Sequence, residues 1–112
     1  MTEARIVLTT IGSVEEARTL SHALVEGQLA ACVNLVERVH SIYRWQGTVE
    51  TADEALLLIK TTAGQVEALK KAVHELHPYA LPEFLVLAVE DAAPEFLRWL
   101  LASTHAPSGP AL

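Results

Sequence analysis

Cysteine is almost missing from this chain. Cys32 is the single one, so no internal disulfide framework can form, and a lone thiol fits a reducing compartment. Basic residues are scarce too: eight Lys and Arg face fourteen Asp and Glu, for a net charge of −6. They never cluster, and Lys70-Lys71 is the longest basic run. Phosphate backbones are held by clustered cations, which argues against nucleic acid as a partner. Small cations are the natural company of such a surface. No apolar run is long enough to cross a bilayer. The opening MTEARIVLTTIGS sets an acid beside its only early base and has too short an apolar run for a signal peptide. A cytoplasmic protein with no membrane partner is the expectation. Also missing are the P-loop, G-x-G-x-x-G, H-E-x-x-H and nucleophile-elbow patterns, so an enzyme ranks last among the possible functions.

What is present is apolar: hydrophobic residues make up 51% of the chain, enough for one core-forming domain. That domain is expected over residues 1–104. The ending HAPSGPAL, 105–112, holds two prolines and a glycine and predicts a loose tail.

Residues 5–11, rich in β-branched side chains, predict a buried strand. Ser13 and Glu16 have capping-box spacing and open a helix with Ala17, Leu20 and Leu24 on one stripe and Gly27 as its stop. Residues 31–45 predict a second strand with a bulge at Glu37-Arg38. Gln46-Gly47 marks a turn, and residues 48–61 a third strand. Thr62 and Gln65 again have capping-box spacing, before a helix to Leu76 buried through Val66, Leu69, Val73 and Leu76. Pro78 ends that helix. Residues 84–90 predict a fourth strand, and Pro94 begins a last helix. The order β-α-β-β-α-β plus a helix predicts an α+β, ferredoxin-like fold with a long central hairpin.

That hairpin outgrows its domain. Residues 33–45 span about 40 Å at strand rise, whereas a compact chain of this size is about 34 Å across. Ile42, Tyr43, Trp45 and Val49 at its tip would stay wet. A symmetric homo-oligomer, in which each hairpin docks on a sibling, resolves this. A hairpin bent back on its own sheet is the alternative.

Several stretches in series then resemble the CutA family of divalent-cation tolerance proteins. They are Ala31-Cys32-Val33-Asn34, Ser41-x-Tyr43-x-Trp45-x-Gly47, Glu54, Lys60-Thr61, His77-Pro78-Tyr79-x-x-Pro82-Glu83 and Phe96-Leu97-x-Trp99-Leu100. The resemblance covers about residues 5–103. It implies a ferredoxin-like subunit in a tight cytoplasmic homotrimer, akin to nitrogen-regulatory signalling trimers. It also implies a link to tolerance of copper and other divalent metals, anchoring of acetylcholinesterase in eukaryotic relatives, and no established reaction. Some relatives carry a first-strand cysteine and an extra histidine, both implicated with copper. Thr9 and Leu76 stand at those positions here. Glu37-Arg38 replaces the Pro-Gly of many relatives.

Three groups of candidate residues remain. His74 and His77, at i, i+3, suit a metal such as copper, with Cys32 as a soft ligand. Two solvent-facing histidines and a small buried thiol are the rival reading, and a threefold axis would multiply any single ligand, His40 of the hairpin being another candidate for such a ring. Lys60, Glu54, Tyr79 and Glu83 read either as a structural salt bridge with a tyrosine hydrogen bond, or as an inter-subunit cleft for a small anion or metabolite. Ile42, Tyr43 and Trp45 read as anchors of the subunit interface. The two prolines of HPYALPEF read as stiffening a joint at a subunit boundary first, and a cleft wall second. The function expected from all of this is a non-enzymatic, metal-binding trimer. The alternative is a signalling or scaffold trimer that binds a metabolite or partner protein in its clefts.

Overall fold

Strand β1, Ala4–Ile11, buries Val7, Thr9 and Ile11 on one face, as a period of two requires. The computed structural model describes residues 1–104, and the expected loose tail lies outside them. Helix α1, Val14–Glu26, begins at Ser13, whose Oγ accepts the Glu16 N–H at 3.1 Å. The reciprocal half of the expected box differs: Glu16 Oε1 takes the Ser13 hydroxyl at 3.0 Å. At the other end Gly27 keeps an ordinary φ of −78°, and Gln28 adopts the left-handed conformation, φ 59°. The Leu29 N–H reaches Leu24 O and the Gln28 N–H reaches Val25 O, each at 3.0 Å. This is a Schellman ending with glutamine where glycine is usual.

Strands β2, Cys32–Trp45, and β3, Thr48–Thr62, meet at a two-residue turn. Gln46 and Gly47 both have positive φ, 50° and 82°, as the tight hairpin turn matching strand twist needs. The register slips between Val36 and Val39, where the bulge was expected. After β3 comes the first correction. Thr62 caps nothing with its side chain, and residues Ala63–Gln65 form a 3₁₀ turn before helix α2, Val66–Leu76. Gln65 instead sends its Nε2 to the Gln28 carbonyl at 2.9 Å, tying α2 to the end of α1. Leu76 is a second correction: it is exposed, and His77 takes the interior place beyond Val73. Strand β4 is shorter than expected, Leu85–Ala88. Phe84 leaves it to pack beside the core. Helix α3 is Pro94–Ala102.

The sheet order is β2-β3-β1-β4, antiparallel throughout. The fold is α+β and ferredoxin-like. Helices α1 and α2 cover one face through Leu20, Leu24, Leu69 and Val73, against Val7, Ile11, Leu57 and Ile59. On the other face α3 covers only one end, where Leu100 meets Ala4 and Ala31. The rest is more open: Ile6, Leu8, Leu56 and Leu58 are half-buried, and Val36 and the whole of β4 are exposed.

Strand β1 supports β3 only from Thr62 back to Ala55. Beyond that point residues 39–45 and 48–54 pair with each other alone, a free ribbon about 23 Å long at strand rise. It stretches the chain to 49 × 32 × 24 Å, with a radius of gyration of 14.8 Å, above the roughly 13 Å of a compact chain this long. Among the described residues no helix is long and apolar enough to cross a membrane.

Candidate functional site

His77 lies where α2 stops. Its backbone is extended, φ −81° and ψ 132°, because the following proline bars the helical region. The ring is buried and both nitrogens are engaged. Nε2 lies 2.7 Å from the Thr10 carbonyl, and Nδ1 faces the Tyr79 N–H at 3.2 Å. A carbonyl can only accept and an N–H only donate, so Nε2 carries the proton. In this arrangement neither ring nitrogen has a lone pair free for a metal. His74 is exposed, with Nδ1 3.0 Å from the Lys70 carbonyl. Cys32 is half-buried in β2, out of phase with Val33 and Leu35, which pack toward the helices. It therefore sits on the sheet face away from α2 and His74. Among the described residues no three His, Cys, Asp or Glu side chains gather as a metal cluster would require.

The stiff segment after His77 builds something else. Its ring holds Tyr79 at 4.7 Å in an edge-on packing, and the Tyr79 hydroxyl donates to Glu54 Oε2 at 2.7 Å. Glu54 is only 8% exposed. Burial first, and then the Glu54 hydrogen bond, push the Tyr79 phenol far above its ordinary range. Burial first, and then the Glu54 charge, raise the Glu83 carboxyl. Glu54, Tyr79 and Glu83 line an open cleft of about 680 Å³ together with Ser41, Ile42, Tyr43 and Trp45 of the overhanging ribbon and with Thr10 and Leu81.

Three of the four residues grouped from the sequence, Glu54, Tyr79 and Glu83, thus line one cleft. Lys60 does not. It shares the Glu54 face of β3, but six residues along, about 20 Å away, where it pairs in register with Cys32 and Ile6. Strand β4 runs beside β1 rather than β3, so Glu83 is not brought to Lys60 within the chain. The expected salt bridge is absent among the described residues. Ile42, Tyr43 and Trp45, expected as interface anchors, are exposed at 73%, 43% and 41% and are among the residues that line the cleft.

One cluster escaped the sequence reading. Asp53 accepts from Arg38 at 2.8 Å and meets His40 Nδ1 at 2.5 Å, and the His40 hydrogen bond leads the effects that lower the Asp53 carboxyl. The signal was available. Counting back from the Gln46-Gly47 turn pairs His40 with Asp53. Thr10 and Ser41 of the cleft were missed because nothing in their own type marks them.

Comparison with known proteins agrees with this fold. A family model described as CutA1 divalent ion tolerance protein matches residues 5–103. The divalent-cation tolerance protein CutA of Thermus thermophilus is 50% identical over 99 residues, 88% of this chain and 96% of that one. Mouse CutA is 41% identical over 82% of this chain, which spans only about half, 52%, of the mouse protein. Among solved structures, the divalent cation tolerance protein from Thermus thermophilus superposes with a TM-score of 0.89 at 48% identity, covering 91% of this chain and 99% of that one. CutA from Xylella fastidiosa gives 0.90 at 38%, covering 93% and 100%.

Proposed function

This chain belongs to the CutA1 divalent ion tolerance family, and from that premise we propose that it works as a cytoplasmic homotrimer that binds copper or another divalent cation without catalysing a reaction. The observation that carries this reading is the unsupported ribbon, residues 39–54, with Ile42, Tyr43, Trp45 and Val49 in water. A two-stranded ribbon alone is marginal, and exposed aromatics of this size mark contact surfaces. A sibling chain supplies both a third strand's worth of support and a dry partner for the rings. Sedimentation or light scattering should return about three times the 12.2 kDa of one chain. A folded particle of single-chain mass at micromolar concentration overturns the assembly.

In this reading cations are met by exposed donors rather than by a closed cage: His74, and His40 beside Asp53. The charge of −6 per chain concentrates cations at the surface. Calorimetric titration of Cu²⁺ should give weak binding that falls further in His74→Ala and His40→Ala. Tight binding untouched by either change rules out these donors.

A second reading has its own observation, the Glu54–Tyr79–Glu83 cleft beneath the ribbon. The trimer then serves as a signalling or scaffold unit whose clefts, roofed by siblings, take a small molecule or a partner's side chain. A thermal-shift screen tests it, because a ligand that binds only the native state must raise the melting point.

A further inference from the structure

Glu54 is more than nine-tenths buried, yet among the described residues it forms no ion pair. Its hydrogen bond comes from a neutral phenol, Tyr79. A buried carboxylate without a cation is costly, so within the single chain the site is electrostatically incomplete. Glu83 adds a second acid to the same cleft, and burial together with Glu54 already drives it toward its protonated form. Among the described residues no Lys, Arg or His lies in the lining. Tyr43, Trp45 and Tyr79 contribute three aromatic rings to the lining, beside the aliphatic Ile42 and Leu81 and the hydroxyls of Thr10 and Ser41.

Each class of occupant can be weighed against this lining. An anion would join two carboxylates in a half-buried space. A neutral molecule would leave Glu54 without a cation. A hard divalent ion prefers six or more oxygen ligands or several waters, gathers no cluster of three donors among the described residues, and gains little from ring faces. An organic ammonium gains from both walls, since it pairs with the carboxylates and rests against the negative faces of the rings. The volume, about 680 Å³, suits a small molecule.

We propose that this cleft binds an organic monocation, a protonated amine carried on an apolar body, between Glu54 and Glu83 on one side and Tyr43, Trp45 and Tyr79 on the other. The proposal rests on the second reading above, that the cleft is a ligand site, and names the charge class it accepts.

The test compares three probes of one shape with the full chain at low salt and neutral pH: 2-phenylethylammonium, 2-phenylethanol and 3-phenylpropionate. The ammonium alone should raise the melting point and give a calorimetric isotherm that weakens with added salt. Its affinity should fall at least about tenfold in Glu54→Gln and in Trp45→Ala. Glu54→Gln retains an acceptor for the Tyr79 hydroxyl and so keeps the fold. Glu83→Gln is the second check on the acids. Unchanged affinity in Glu54→Gln overturns the proposal. Binding of the alcohol or the carboxylate instead, lost in Trp45→Ala, overturns the charge assignment while leaving the cleft as a ligand site. No binding of any probe overturns both. Ammonium binding that emerges only in Lys60→Met also overturns the free-ligand assignment, because a sibling's Lys60 would then be the cation that completes the site.

Discussion

At the scale of single residues, His77 is the clearest example of a side chain whose type suggests one role and whose surroundings assign another. Its imidazole joins the ends of β1 and α2 to the segment that carries Tyr79. His77→Ala should therefore destabilise the fold by about 2–3 kcal/mol, because it strands the Thr10 carbonyl and the Tyr79 N–H as well as emptying a buried site. Urea denaturation at fixed protein concentration checks this. Thr9 behaves in the opposite way. It is fully buried, and its hydroxyl has no hydrogen-bond partner among the described residues. Thr9→Val should stabilise by about 1 kcal/mol, since the isosteric methyl removes an unpaired polar atom. Glu83 predicts a pH dependence. Its carboxyl is raised in the folded chain from an ordinary 4.5, so the folded state holds the proton more tightly than the unfolded one. Ionised Glu83 thus costs stability as pH climbs above 4.5 and through the raised value. Glu83→Gln should melt higher than the parent at neutral pH, and the gain should vanish below the ordinary glutamate value. Melting curves across pH 3–8 give the comparison.

At the scale of elements, patterning is legible wherever one face alone is buried. Ala17, Leu20 and Leu24 on α1 follow from their spacing and are all core. The ends are harder to read. Gly27 is the residue expected to stop the helix, yet the left-handed turn falls on Gln28, one step later, where the Leu24 and Val25 carbonyls are capped by the chain beyond. Gln28→Gly should raise stability by up to about 1 kcal/mol by relieving that conformation. It keeps the backbone carbonyl that Gln65 uses, and a thermal melt reads the change. The Thr62–Gln65 spacing promises a capping box, but Thr62 is buried at the end of β3 and Gln65 is drawn to α1. Spacing reports which local bonds are possible, whereas packing selects among them.

At the scale of the whole molecule, the decisive feature is a mismatch of lengths. β1 accompanies β3 for eight residues and then stops, while β2 and β3 continue as a ribbon. Trp45→Ala combined with Tyr43→Ala should weaken self-association at least about tenfold by removing two large apolar contacts. Sedimentation over a concentration series checks it. If the double variant assembles as tightly as the parent, the rings belong to the cleft alone.

The sequence by itself determined the element order, the helix stripes, the bulge, the hairpin turn and the excess length of the ribbon. Each follows from residue periodicity, turn chemistry and the fixed rise of a strand, which act over a few neighbours. The tertiary structure alone decided which distant groups meet. It placed β4 against β1 and so kept Glu83 from Lys60. It turned His77 inward and brought Tyr79 to Glu54 across 25 positions of chain. Those pairings depend on how the sheet is ordered and where a loop crosses it, and no local pattern of side chains carries that information.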